Sequence, residues 1–224
     1  MRHFGLLLTF FLISFLCHAQ LEIGIQAGYG FPSFLVGSSD QPGTTTFSNV
    51  HDNIILSFGI RQRTKKVFNL GLNLAYQNQS FKLKSSVGGL GSWTSHDLKI
   101  NYGNVRLDIL PEFVIGENLK VVISPGFTFG TLLHSHCTGS DAFGLNEPPY
   151  TQTVNNVNGS ARAYFSRLDF GVLFQLGLDI PLSKRIVLEI DNTEYLYIFG
   201  GPSISEVKIH YIHVTFTGGV FYKL

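Results

Sequence analysis

The sequence has little sulfur, little charge and no apolar run long enough for a membrane helix. Among 224 residues there are two cysteines, one methionine and one tryptophan, and charged residues make up 14%. Lys and Arg number 16 against 15 Asp and Glu, so the chain lacks the basic surplus that nucleic acid binding needs. No apolar run approaches the roughly 18 residues of a membrane-spanning helix.

The first residues have the layout of a cleavable export signal. Arg2 and His3 give a positive start, residues 4–16 form an apolar run, and Ala19 precedes Gln20. We expect cleavage between Ala19 and Gln20, which leaves 20–224 as one domain. Cys17 leaves with the signal, so Cys137 remains as the single thiol and an internal disulfide is excluded.

Strict alternation of apolar and polar residues runs through most of the remaining chain. In "LDFGVLFQLGLDI" (168–180) every second residue from Leu168 is apolar, and the others are Asp, Gly, Leu and Gln. A period of two is the strand period, and thirteen residues exceed the usual strand length of about five or six. Tilted by about 45°, such a strand would cross the apolar layer of a bilayer.

The same alternation occurs eight times and predicts an all-β fold, an eight-stranded antiparallel transmembrane β-barrel. The expected strands are 21–31, 54–61, 68–77, 105–115, 119–130, 168–180, 186–191 and 212–224. Short connections at 62–66, 116–118 and 181–184 alternate with long ones, roughly 32–52, 81–97, 134–160 and 200–206. Short turns on the periplasmic side and long loops outside are the layout of outer-membrane barrels.

Most tyrosines lie near the ends of the expected strands, where aromatic rings collect at the membrane interface. The expected interface aromatics are Tyr29, Tyr76, Tyr102, Tyr164, Tyr195, Tyr197, Tyr211 and Tyr222. Two features interrupt the pattern. Pro111 and Pro125 fall inside strands, where we expect bulges. Alternation also breaks after Asp191 and between Tyr102 and Val105, which indicates further bulges or strands leaving the membrane.

The residues opposite the apolar face are small, polar or charged, as suits a narrow interior. Eight strands leave a bore that side chains can fill, so we expect interior ion pairs and trapped water. The predicted lumen network consists of Glu22, Arg61, Arg106, Asp108, Glu112, Lys120, Asp169, Asp179, Glu189, Asp191 and His213.

Three segments resemble a known family. These are the signal ending in "AQ", "NVRLDILPEFVIGENLKVVISPGFTFGTLL" (104–133) and the closing "GGVFYKL" (218–224). They are similar to the outer membrane β-barrel domain of Bacteroidota that is often called PorT-like. Leu107-Asp108-Ile109 matches the family element before its proline, although Leu110 intervenes before Pro111. The resemblance implies an outer-membrane barrel and assigns no activity.

One cluster contains metal-ligand residue types. His134 and His136 would share one side of an extended chain, which makes them weak candidates for a metal site, and Cys137 would point the other way. No glycine-rich segment opens a helix, so we expect no cofactor. Loop residues such as His51 and His96 show no catalytic constellation, and we expect no enzyme.

These patterns predict a small integral outer-membrane protein with a filled lumen, acting through its extracellular loops in surface interaction or envelope integrity. Two alternatives stay open: a narrow porin-like channel for small solutes, and an accessory subunit of an outer-membrane secretion complex. The expected partners are outer-membrane lipid, the barrel-assembly and export machinery, and an envelope protein bound through the loops.

Overall fold

The computed structural model describes residues 20–36, 43–63, 68–88, 92–145, 152–160, 167–199, 203–204 and 207–224. The expected signal segment, residues 1–19, lies outside this part of the chain. In the described ranges, no helix has the length and apolar character needed to cross a bilayer.

The described residues form ten strands, eight of which close into a ring. The strands are β1 (Gln20–Val36), β2 (Gly43–Arg63), β3 (Phe68–Gly88), β4 (Ser92–Ile115), β5 (Lys120–Leu145), β6 (Gln152–Gly159), β7 (Leu168–Pro181), β8 (Ile186–Phe199), β9 (Ser203–Ile204) and β10 (Val207–Lys223). The ring order is β1-β2-β3-β4-β5-β7-β8-β10, and antiparallel pairing of β10 with β1 closes it. β6 pairs with β5 and β9 pairs with β10, outside the ring. The predicted eight-stranded antiparallel barrel is confirmed.

The pairings are staggered, so the strands tilt around the barrel axis. A path around the barrel can be traced by stepping from each residue to its paired partner on the next strand. Starting at Ile23 of β1, it passes through Ile60, Leu72, Ile109, Phe127, Val172, Leu196 and Ile212, and it reaches β1 again at Ser33. Ser33 lies ten residues beyond the starting residue. Closure of a barrel requires such a stagger, and eight strands enclose a bore that side chains can fill.

The two faces of the ring have opposite chemistry, with apolar side chains outside and polar ones inside. Ile25, Leu74 and Phe174 are 69%, 52% and 48% exposed, whereas the adjacent Asn73 and Gln175 are buried. Soluble proteins rarely expose so continuous an apolar surface. Hydrocarbon accepts it, and the closed ladder satisfies the backbone groups that lipid cannot hydrogen-bond. The fold is therefore a transmembrane β-barrel.

Ring strands β2 to β5 continue beyond the apolar belt, where loops were expected. Residues 43–50 of β2, 81–88 of β3, 92–102 of β4 and 134–145 of β5, together with β6, form a five-stranded sheet that we call the projecting sheet. The described residues of the expected loops 32–52, 81–97 and 134–160 are thus largely strand. The short connections 116–119 and 182–185 lie at the opposite end of the barrel, where Gly116 adopts a φ of +108°.

The apolar and polar faces of the strands exchange sides at the start of the projecting sheet, which explains why the membrane pattern predicted loops there. On β3, outward Leu74 and Tyr76 give way to exposed Lys82, while the inward series changes from Gln77 to Phe81. The projecting sheet thus has a core of its own, which consists of Phe81, Leu83, Leu98, Ile100, Tyr102 and Cys137. Polar outside and apolar inside is the pattern of a strand in water. Burial, and secondly the nearby Asp141, raise the pKa of the Cys137 thiol.

The prolines do not produce the bulges expected at Pro111 and Pro125. Ile109 pairs with Phe127 and Phe113 pairs with Ile123, so the register of β4 on β5 is unchanged across the prolines. The two prolines therefore stand opposite each other, and pairing lapses between these points because neither has an N–H to donate. Each still pairs with the strand on its other side, Pro111 with Leu70 and Pro125 with Phe174.

Of the two expected breaks in alternation, the structure contains one as a register shift at the expected position. It falls between Gly103 and Asn104 on β4, where Leu133 of β5 is the extra residue. On β8 the side chains keep alternating directly past Asp191, so no break occurs at that residue, and the register shift on this strand falls later, at Ile198. The sequence pattern changes at that point because the outward positions carry polar residues, Asn192 and Glu194.

We expect a charged side chain on the lipid-facing surface, near the middle of the bilayer, to destabilise the barrel. Leu74→Arg should lower the free energy of unfolding in phosphatidylcholine vesicles by about 2–4 kcal/mol, because it places a cation in hydrocarbon. The matched control is Val154→Arg on β6 of the projecting sheet, where the side chain is 57% exposed. That change should stay within about 0.5 kcal/mol. Equal losses in urea unfolding for both variants would contradict the assignment of the apolar belt.

Candidate functional site: the polar lumen

The interior of the barrel contains most of the charged residues that the sequence pattern placed there. Each ring strand contributes every second side chain to this space. The structure buries Glu22, Arg61, Arg106, Asp108, Glu112, Asp169, Asp179, Glu189, Asp191 and His213, and leaves Lys120 half-buried. Two separate networks result, one near each end of the lumen.

Two arginines of β2 organise the network near the short turns, which we call the arginine cluster. Its carboxylates are Glu22, Glu112, Asp179 and Glu189. Arg61 lies 3.4 Å from Glu112 and 3.5 Å from Asp179, and it also pairs with Glu189. Arg63 lies 2.6 Å from both Glu112 and Asp179, and 3.3 Å from Glu22. Since these acids stand on β1, β4, β7 and β8, the ion pairs cross the bore.

The charges of the arginine cluster nearly balance. Lys223 approaches Glu22 at 3.9 Å, so three cations face four carboxylates among the described residues. Arg61, Glu112 and Glu189 have no exposed surface. Removing one partner of such a buried pair typically costs about 3–5 kcal/mol, because the remaining charge is left in a medium of low polarity.

An aromatic ring and neighbouring glycines complete the packing around Arg61. The Phe221 ring lies under the guanidinium, with its centroid 3.8 Å from the central carbon of Arg61. A Cβ atom at Gly24 would approach the Phe221 ring to 2.5 Å, and one at Gly59 to 2.8 Å. The absence of side chains at both positions therefore makes room for a phenylalanine inside a narrow barrel.

The second network centres on Arg106, toward the projecting sheet. Arg106 donates to the Tyr195 hydroxyl at 2.8 Å and lies 3.4 Å from Asp108. The Tyr195 hydroxyl donates to Asp108 at 3.1 Å, and Thr128 donates to the same carboxylate at 2.6 Å. Gln77 accepts a hydrogen bond from Arg106. The buried cation is thus held by groups from β3, β4 and β8.

Hydrogen bonds connect this network to the core of the projecting sheet. The His213 ring lies 2.8 Å from the Gln77 amide nitrogen and 3.1 Å from that of Gln79. Tyr102, a member of the apolar core, donates its hydroxyl to Gln79. A series of hydrogen bonds therefore runs from Arg106 through Gln77, His213 and Gln79 to Tyr102.

A cavity of about 20 Å³ lies between the two networks. Asp191 lines it and accepts hydrogen bonds from Gln26 at 2.8 Å and from Thr217 at 2.6 Å. A cavity needs about 10–15 Å³ to hold one water molecule. This space therefore fits a water but no larger solute.

Sequence reasoning missed two residues that matter for the lumen. The expected short connection 62–66 includes Arg63, yet this residue has the same parity as Arg61 and lies inside. Phe221 alternates with outward Val220 and Tyr222, so its parity also indicated an inward ring. In both cases strict alternation was a better guide than residue type, because a basic residue near a turn and a phenylalanine each have a more usual place.

Three of the expected interface tyrosines face the lumen instead. Tyr102, Tyr195 and Tyr197 are buried, and the parity of Tyr195 and Tyr197 is that of inward Glu189 and Asp191. Their position near a strand end indicates the membrane interface, whereas their parity indicates the lumen. Half-buried Tyr29 and exposed Tyr76 and Tyr222 lie on the outer face. Tyr164 and the side chain of Tyr211 lie outside the described part of the structure.

The weak metal candidates lie on the outer face of β5. His134 and His136 are exposed, and Cys137 is buried on the opposite face. The described residues contain no group of three or more His, Cys, Asp or Glu side chains that could hold a metal ion. The metal site therefore stays an untested prediction without a third ligand in this region.

The fold and its interior define a class: a β-barrel of the outer-membrane type with a lumen filled by side chains. No protein-family model matches the chain, and no curated protein matches its sequence. The PorT-like resemblance therefore stays a prediction.

Several solved structures are similar in fold. Neisserial surface protein A from Neisseria has a TM-score of 0.44 and 9% identity, with 91% of this chain and 97% of that chain covered. Outer membrane protein OprG from Pseudomonas aeruginosa has a TM-score of 0.46 and 14% identity, with 92% of this chain and 95% of that chain covered. The outer membrane protease OmpT from Escherichia coli has a TM-score of 0.48 and 9% identity, with 92% of this chain and 97% of that chain covered. At these identities no residue of a site is carried from one chain to another.

We expect the arginine cluster to depend on Arg61. Arg61→Met should lower the free energy of unfolding by about 3–5 kcal/mol, since three buried carboxylates lose a partner. Adding Glu189→Gln to this variant should recover part of the lost free energy of unfolding. The control is Lys84→Met, in a pair with Asp97 whose side chains are 64% and 55% exposed, where the loss should stay below about 1 kcal/mol. A loss at Arg61 no larger than at Lys84, measured by urea unfolding in vesicles, would contradict this account.

Proposed function

We propose that this chain is an integral outer-membrane protein with a closed lumen, which acts on its surroundings through the projecting sheet. The observation that carries the proposal is the pair of interior networks, which join opposite walls of the barrel and have a water-sized cavity between them. A solute pathway needs a continuous opening, and these side chains occupy it.

The orientation follows from the two unlike ends of the barrel. The short connections lie at the same end of the barrel as the start of β1 and the end of β10, since Glu22 of β1 pairs with Lys223 of β10 near the turn at 182–185. Outer-membrane barrels place short turns in the periplasm and long elements outside. The proposal therefore assigns the projecting sheet to the cell surface. Export by the expected signal at 1–19 is part of the same proposal.

The projecting sheet is built as a folded unit that can present a surface. Its inner face is packed around Phe81, Leu98 and Ile100, and its outer face carries exposed polar and charged groups. Surface interaction or support of the envelope fits such a unit. An accessory role in a secretion complex and a PorT-like identity belong to the same proposal as finer hypotheses.

Planar bilayer recordings test the closed lumen against a channel. The purified, folded barrel should give no steady open current at moderate voltage, because buried ion pairs cross the bore at the arginine cluster. Insertion is checked by a heat-dependent gel shift of protein recovered from the same vesicles, and a known porin serves as the conducting control. Stable unitary currents from the wild-type chain would overturn the closed lumen and favour the small-solute channel.

A further inference from the structure

The outer face of the projecting sheet places two lysines directly opposite each other. Lys82 of β3 pairs with Lys99 of β4, and both side chains are exposed. Buried Phe81 and Leu83 flank the first, and buried Leu98 and Ile100 flank the second. By strand alternation, both ammonium groups therefore point away from the sheet core on the same side.

This lysine pair has no carboxylate to relieve it among the described side chains. Like charges directly opposite in a sheet destabilise it, because their Cβ atoms are only about 5 Å apart. The next pair along the same strands is relieved, since Lys84 stands opposite Asp97 with a salt bridge of 3.1 Å. No described acid comes within ion-pair distance of Lys82 or Lys99, so an external anion would remove an existing repulsion.

Further positive or hydrogen-bond-donating groups extend the pair along the wall. On β5, His136 stands opposite Asn101 and His134 opposite Gly103, both exposed. We call this set the basic arc, and its members are Lys82, Lys99, His134 and His136.

The basic arc stands above the apolar belt, on the side of the projecting sheet. Below Lys82 on β3 the outward residues are Ser80 and Asn78, followed by Tyr76 and Leu74 of the belt. Interface tyrosines lie at the level of the lipid headgroups. In the proposed orientation the lysine side chains stand on the headgroup side of Tyr76, where each nearby Lys or Arg gains about 1 kcal/mol from an anionic surface.

We propose that the basic arc binds phosphate groups on lipids of the outer leaflet. This rests on the proposed outer-membrane location. The lysine ammonium groups supply the charge, and the imidazoles supply additional N–H donors. A lipid phosphate, rather than a soluble polyanion, fits the position, because the arc runs across β3, β4 and β5 on the side nearest the belt instead of covering the tip of the sheet.

Reconstitution with defined lipids tests the proposal. The full barrel is folded into phosphatidylcholine vesicles with no addition, with bisphosphorylated lipid A, or with dephosphorylated lipid A. The urea midpoint of the wild type should rise with phosphorylated lipid A alone. Lys82→Gln with Lys99→Gln should abolish that rise and leave the midpoint in pure phosphatidylcholine unchanged or higher, since the repulsion is gone. Apparent affinity for lipid A in detergent should fall about thirtyfold, from about 1 kcal/mol per lysine.

Matched variants and a competitor separate the outcomes. Lys184→Gln, in the short turn at the other end, removes the same charge and should keep the full rise. If the double variant does not fold, Lys99→Gln alone should weaken lipid A binding about fivefold. Three results would each overturn the proposal: an equal rise of the wild-type urea midpoint with dephosphorylated lipid A, no rise of the midpoint with phosphorylated lipid A, or a larger rise with a soluble sulfated sugar. Failure of the chain to fold into phosphatidylcholine vesicles would instead contradict the membrane location itself.

Discussion

Hydrocarbon offers no hydrogen-bond partner to a peptide group, and this constraint shapes the rest of the molecule. A sheet in lipid must satisfy each N–H and C=O internally, so its first and last strands have to meet. Pairing of β1 with β10 provides that closure, with a stagger that tilts the strands. Where pairing lapses between facing Pro111 and Pro125, the register does not shift.

Closure also decides what the interior contains. Alternation directs half of the ring side chains into a bore too narrow for bulk water, so their charges need partners within the protein. Arg61 and Arg63 meet this need at one end, and Arg106 meets it at the other. The resulting plug is a consequence of satisfying buried charge, and it moves the contact with other molecules to the outer surface and the projecting sheet.

Much of the fold was predictable because the hydrocarbon and the lumen impose opposite requirements on neighbouring residues. Eight segments show that contrast, and the structure has eight ring strands. Where water replaces lipid the contrast reverses, so Phe81 and Lys82 continue a strand that the membrane pattern alone ends at residue 77. Tyr195 and Arg63 differ from the prediction for a related reason. Residue type and position near a strand end point to the interface or to a turn, whereas parity determines the direction of a side chain.

The most direct test of the account is a site-directed spin-label scan along β7, residues 168–180, in lipid vesicles. Labels at even positions should be relaxed by oxygen dissolved in the bilayer and protected from a water-soluble nickel complex. Labels at odd positions should be protected from both, because they lie in a packed interior. Loss of the two-residue period, or access of the nickel complex to the central even positions, would show that water rather than lipid covers the apolar face and would contradict the account.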